Sequence, residues 1–472
     1  MTDPAPAAQP SRLASLDGLR GVAALVVLVY HLSLVLPAVA AAYTGLGTPP
    51  APGTAQWYAV YSPLHWLFAG QEAVVVFFVL SGLVVALPAM RRVDHDWLAY
   101  YVARVLRLGV PFTGAVLFAV LLVVLVPQVH RHPSAWVDIH RFPQLDWRQV
   151  VPALDMVSGT YLLDNALWSI RWEFLFSLLL PLFVVAGVAL RRWWPLVGVA
   201  SVLVTYAAVQ SGSQTYLYLT PFLVGTVLAA NLPRLQAAAE RINRTRARHL
   251  VWPLATLAGM TLLSLPWLAG GLGLVWPGGL PASFGPVGAA LLIISAIGGP
   301  GLRRLLSTRP CQLAGRYSFS LYLIHVPVIM TVVAMWPTRS FPFIALVAGP
   351  AALVIAVVFH HLVERPSHTL AQDAARRAPG ALRAWVERTA QPTASTRRTT
   401  TADASGATGA GASTETRVPA FSVVSSAASS TAQTVAGPSG VPDGSTRTPT
   451  VPSPSSPAGS VTVVPAVSSS DA

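Results

Sequence analysis

Apolar residues fall into long runs over the first 363 positions, broken by short polar stretches. Several runs approach or exceed the roughly 18–20 residues that a helix needs to cross a bilayer. They predict about ten spans, at 17–36, 73–90, 108–127, 167–190, 193–210, 216–232, 250–269, 283–299, 317–335 and 341–363. The expected fold is all-α, a polytopic membrane helical bundle. From about residue 370 the pattern stops. The chain turns to Arg and Ala, then to Ser, Thr, Ala, Gly and Pro, and after Trp385 its only aromatic residue is Phe421. Such a stretch buries too little apolar surface to offset the entropy of ordering. The expected organisation is a disordered N-terminus over 1–12, a membrane domain over 13–367 and a disordered tail over 368–472.

Composition agrees: of 472 residues, 53% are hydrophobic and 10% charged. The net charge of +13 would point to nucleic acid in a soluble domain. Here the arginines flank apolar spans, so topology accounts for them and no nucleic-acid partner is expected. With the N-terminus cytosolic, fourteen arginines fall on inner loops and four (Arg131, Arg141, Arg148 and Arg339) on outer ones. The positive-inside rule thus predicts two cytosolic termini and a multi-pass protein of the plasma membrane. The start, MTDPAPAAQPSRLASLD, has no basic n-region and no small-residue cleavage site, so no removable signal peptide is expected. Cys311 is the single cysteine, which excludes an intrachain disulfide and a multi-cysteine metal site; no metal is expected.

Ionisable residues inside apolar runs are costly and therefore functional candidates. In SLDGLRGVAALVVLVYHLSLVL, Arg20 and His31 are eleven residues apart. That separation is about three helical turns, or roughly 16 Å, so both side chains share a face, with His31 deep in the span. Arg104 and Arg107, in YYVARVLRLGVPF, also share a face and could grip phosphate as a bidentate pair. Taken alone, the pair fits an ordinary positive-inside anchor better. LWSIRWEFLFSLLLPL places Trp168, Ser169 and Glu173 at the mouth of the fourth span. Glu173 needs a partner there, either Arg171 nearby or an imidazole across the bundle. In YSFSLYLIHVPV, Ser318, Tyr322 and His325 line one stripe, equally suited to a cavity wall or a helix–helix seam. Glu364, in FHHLVERP, reads as an end-of-helix anchor. The outer-loop aromatics, Trp136 and Trp147 among them, read as an interfacial belt before sugar-stacking surfaces.

Together these segments resemble the acyltransferase-3 family of integral membrane O-acyltransferases. LDGLRGVAALVVLVYHL, FFVLSG, the Arg-x-x-Arg at 104–107, LWSIRWE and YSFSLYLIH follow in that family's order over about residues 12–367. The resemblance implies transfer of an acetyl or other short acyl group from acyl-CoA, a donor substrate rather than a resident cofactor. The implied acceptor is a hydroxyl of a carbohydrate or glycosylated molecule. It also implies His31 as the essential histidine, Glu173 as the motif acid, and Arg20, Arg104 and Arg107 as the coenzyme A contacts. One departure is visible: Ala73, Val74 and Val75 stand where the family often has Gly-Val-acidic, with Glu72 just ahead.

On this reading the Arg pair holds coenzyme A at the inner rim and its arm carries the thioester to His31. A neutral His31 takes the acceptor's proton, and Glu173 fixes its tautomer. Direct transfer is preferred over an acyl-histidine intermediate. The alternatives are a transporter or flippase, to which intramembrane His and Glu also belong, and an interaction protein acting through its tail.

Overall fold

The computed structural model describes residues 14–91, 95–274 and 276–390. The expectation of disorder at 1–12 and beyond Ala390 lies outside the described residues. Among those described, the regular structure is entirely helical. The helices used below are α1 (Ala14–Ser33), α2 (Pro37–Thr44), α3 (Gly70–Arg91), α4 (Trp97–Leu125), α5 (Ala135–Ile139), α6 (Trp168–Leu178), α7 (Leu180–Leu190) and α8 (Trp194–Ser211). They continue as α9 (Gln214–Asn243), α10 (Arg248–Leu263), α11 (Leu265–Gly271), α12 (Gly285–Gly298), α13 (Arg309–Met335), α14 (Phe341–Phe359) and α15 (Arg365–Ala390).

Among the described residues, eight helical stretches are long and apolar enough to cross a membrane, or nine if the bent pair α10–α11 counts as one. Ten were expected, and the differences have local causes. The span at 167–190 breaks at Leu179 because Pro181 has no N–H to continue the ladder. The carbonyls of Ser177 and Leu178 are bonded instead by the hydroxyls of Tyr100 and Tyr101, at 3.2 and 3.0 Å. The second half then runs with α8 as one helical stretch, Leu180–Ser211. The span at 250–269 bends by 76° between α10 and α11, next to Pro266. The first span runs over 14–33 rather than 17–36; the chain turns at Leu34–Leu36 and Pro37 starts α2.

The boundary drawn at 367 also falls inside a helix. After α14 a π-turn over His360–Glu364, just before Pro366, leads directly into α15. The Arg- and Ala-rich stretch that reads as the start of a disordered tail is made of strong helix formers, and it is helical through Ala390.

Packing is governed by small residues. α1 runs along α13, and α3 along α9, as the two most extensive helix pairs. Between α1 and α13, a Cβ added at Gly21 would lie 2.3 Å from the Gly315 nitrogen, and one at Gly315 would lie 2.3 Å from the Asp17 carbonyl. Only glycine admits that approach, as expected where helices associate without a hydrophobic driving force. α13 is buried along most of its length, whereas α7 and α8 turn Leu182, Val185, Leu196 and Leu203 outward. Outward leucines and valines on a helix of this length fit a lipid-facing surface. α1 and α13 therefore form the bundle's inner pair, and both carry histidines.

Candidate active site

His31 lies in the last turn of α1 and His325 midway along α13; both are buried. The Gly21–Gly315 contact brings these helices close enough for the rings to meet. His325 Nε2 is 3.0 Å from His31 Nδ1, and the ring centroids are 4.8 Å apart. Each Nδ1 also lies 3.0 Å from a carbonyl one turn back, Val27 for His31 and Leu321 for His325. A carbonyl only accepts, so His325 Nδ1 carries a proton and, in the neutral ring, Nε2 accepts. His31 Nδ1 must then be the donor, shared between His325 Nε2 and the Val27 carbonyl. This leaves His31 Nε2 as the nitrogen with a free lone pair, a tautomer assigned from the network.

Below His325 on the same stripe, Tyr322 shares a 2.6 Å hydrogen bond with Ser169 on α6. Phe77 of FFVLSG packs edge-on against Tyr322, at 5.8 Å between centroids. Trp168 joins an aromatic group with Phe78 and Tyr218 rather than the histidines. Ser318 is buried and donates to the Gly315 carbonyl of its own helix at 2.8 Å.

One turn along α6 from Ser169 comes Glu173. It sits neither on Arg171 nor on an imidazole, the two partners expected for it, but on Arg104, whose Nη2 is 2.6 Å from its carboxylate. Arg104 Nε also donates to Ser177 Oγ at 2.8 Å, which in turn donates to the Glu173 carbonyl at 2.6 Å. The correction follows from helix geometry. Positions 173 and 177 share the face of α6 that meets α4, while Arg171 points away over the Trp172 ring at 5.1 Å. The residue that orients His31 is thus His325. Ser169 and Glu173, four apart, link the histidine pair to the arginine pair along one helix face, roughly 6 Å of axis.

Arg107 is exposed, yet the charges of Arg104, Arg20, Glu173 and Glu364 act on it. Arg20 is paired with Asp17 at 3.7 Å. Three cations from α1 and α4 thus meet at one end of the bundle, with a carboxylate on either side. Glu364 is more than a helix-end anchor. The π-turn carries it inward, where it is buried and accepts from Ser320 at 2.5 Å and from His360 at 3.0 Å. Its place beside Arg365 at a helix end hid this, and only the widened turn decides it. Glu72 is far from this cluster: it accepts from Trp267 Nε1 at 2.7 Å and faces His65 at 3.5 Å, both on other segments.

At the opposite end, the loop after α4 covers His31. Trp136 on α5 packs against the His31 ring with centroids 5.6 Å apart, and Ser134 donates to the Leu34 carbonyl at 2.5 Å. Trp136 is therefore part of the site and not only a belt aromatic. His140 Nδ1 donates to the Trp136 carbonyl at 2.8 Å, and its ring also bonds Asn165 ahead of α6. Burial is the main cause that pulls the His140 imidazole below its usual range, so it rests neutral. Beside Asn165, Asp164 is buried and accepts from the Ala166 N–H at 3.1 Å. Burial pushes its carboxyl well above the usual carboxylate range. Neither residue carried a signal in the sequence, because both lie in a polar loop that only the tertiary fold folds inward.

Comparison with known proteins gives a consistent picture. Residues 13–361 match the acyltransferase-3 family, described as an acyltransferase domain. The chain is 26% identical over 381 residues to the putative peptidoglycan O-acetyltransferase YrhL of Bacillus subtilis (strain 168), covering 75% of this chain but 54% of that protein. It therefore spans about half the length of that relative. It is also 28% identical over 386 residues to the acyltransferase MdmB of Streptomyces mycarofaciens, covering 75% of this chain and 91% of that one. No solved structure matches the chain.

Proposed function

Because this chain belongs to the acyltransferase-3 family, we propose that it transfers an acetyl or other short acyl group from acyl-CoA to a hydroxyl of a carbohydrate or glycosylated acceptor. The observation that carries the reading is the carbonyl-anchored histidine pair, which leaves one buried imidazole nitrogen unprotonated. A neutral imidazole in that state is a general base for a hydroxyl.

The proposed topology has both termini in the cytosol of a bacterial cell and the Arg20–Arg104–Arg107 cluster at the inner rim. Coenzyme A is a polyanion made there, and guanidiniums are the side chains best shaped for its phosphates. Arg104, already held by Glu173 and Ser177, is preorganised, so little rotamer entropy is lost on binding. The flexible arm then runs along the Ser169–Glu173 face of α6 toward the histidines. There the acceptor hydroxyl gives its proton to His31 Nε2 as its oxygen attacks the thioester carbonyl. The tetrahedral intermediate collapses, the C–S bond breaks, and the imidazolium returns the proton to the departing thiolate. The products are an ester and free coenzyme A. His325 stays neutral and keeps the ring of His31 in the productive tautomer.

The name of the Bacillus relative supports a carbohydrate acceptor, and the name of the Streptomyces relative supports acyl transfer. Incubating the purified protein with labelled acetyl-CoA and cell-envelope or glycosylated acceptors tests the reading. Label on a hydroxyl product, lost in His31→Ala, is the expected result; transfer that persists in that variant overturns the role of His31.

A further inference from the structure

The four arginines on the loops of the His31 side run against the positive-inside trend, and two of them line a single cleft. Gln128, His130, Arg131, His132 and Arg141 bound a shallow surface cleft, open to solvent, between this loop and the end of α13. Its apolar wall comes from Val137, next to Trp136, and from Met330 and Val333 on α13. Met330 lies five residues beyond His325, about 7.5 Å along the helix and away from the arginine cluster. The cleft thus lies past His325 along α13, at the end opposite Arg104 and Arg107.

Its shape is built rather than incidental. Gln128 N–H donates to the Phe142 carbonyl at 3.0 Å, and its side-chain oxygen accepts from the Phe142 N–H at 2.9 Å, closing the loop at its base. Among the described residues, Asp138 is the carboxylate paired with these arginines. It holds Arg141 at 2.7 Å and Arg131 at 3.7 Å. One carboxylate against two guanidiniums leaves an unbalanced positive charge, and the Arg131 side chain is 83% exposed, with donors to spare. The buried Trp136 indole N–H also has no partner among the described residues.

We propose that this cleft binds an anionic group, carboxylate or phosphate, on the acceptor, and thereby presents a neighbouring hydroxyl to His31. The inference rests on the acyl-transfer reading for its second half only. Arg131 and Arg141 would engage the anion, with Asp138 holding the pair in register and competing weakly with the ligand. Donor and acceptor would then reach the histidine from opposite ends.

Binding of three probes to the full chain in neutral-lipid nanodiscs tests this: methyl β-glucuronide, glucose 1-phosphate and methyl β-glucoside. At least one anionic probe should bind at least about tenfold more tightly than the glucoside, less so at high salt. The ratio between the two anions tells a carboxylate site from a phosphate site. Arg131→Gln, at an exposed position that does not endanger folding, should remove most of the preference, and Asp138→Asn should strengthen it. Equal binding of all three probes, or a preference that survives Arg131→Gln combined with Arg141→Gln, overturns the cleft. Acetyl transfer from labelled acetyl-CoA is scored separately. A charge-dependent preference without transfer leaves the cleft standing and removes the acyl-transfer reading, and the reverse pattern removes the cleft alone.

Discussion

His325 Nε2 meets His31 Nδ1 at 3.0 Å, across two helices that glycines bring into backbone contact. A neutral imidazole here takes the position that a carboxylate holds in a Ser-His-Asp triad. The substitution suits a membrane interior, where a carboxylate would need a cation of its own. It also has a consequence: a neutral partner fixes the tautomer but stabilises an imidazolium less than an anion does. The proton accepted by His31 should therefore pass on quickly to the leaving thiolate.

His325→Ala should lower kcat by on the order of 10²–10⁴-fold while the protein still inserts, since the base then loses its tautomer control. His325→Gln should recover part of the rate, because its amide oxygen can accept from His31 Nδ1. Turnover assays on membranes with matched expression check both. An alanine variant as active as wild type would remove the tautomer assignment.

Gly21→Ala and Gly315→Ala should each separate α1 from α13, because the added methyl would sit 2.3 Å from backbone atoms of the facing helix. Overpacking of this kind costs about 1–3 kcal/mol. Both a lower thermal midpoint and a loss of acyl transfer are expected, the second because the histidine rings no longer meet. Full activity in either variant would show that the ring contact is dispensable.

Removing both arginines, Arg104→Ala with Arg107→Ala, should raise KM for acyl-CoA by roughly 10- to 100-fold and leave the acceptor's KM close to wild type. Glu173→Gln should give a smaller rise, since Arg104 would keep Ser177 but lose its 2.6 Å ion pair. Steady-state kinetics with each substrate varied in turn decide the matter. Movement of the acceptor's constant alone would refute the phosphate role.

Asp164 predicts a pH effect on stability. Its pKa is raised in the fold by burial, so the native state binds this proton more tightly than the unfolded chain does. Its contribution is fully present below the unfolded value of about 4 and is lost as pH rises through the folded value. Asp164→Asn keeps the bond to the Ala166 N–H and removes the proton. Its thermal midpoint should therefore exceed wild type by an amount that grows as pH rises above about 4. Parallel midpoint-against-pH curves for the two proteins would contradict a neutral Asp164.

Hydropathy and motif spacing determined much of this protein by themselves, because a bilayer forces the chain into apolar helices whose lengths and flanking arginines are written locally. The all-α class and most spans were legible that way, and so was the presence of ionisable residues such as His31 and Glu173 inside apolar runs. Partnerships were not. Glu173 met Arg104 instead of an imidazole because its face of α6 turns toward α4, and spacing within one helix cannot say which neighbour that face will find. His325 became the partner of His31 only through glycine contacts between segments some 300 positions apart. Trp136, Asp164 and Glu364 entered the site through a folded loop and a widened turn. Those are properties of packing, where the free energy of burying each group depends on everything around it.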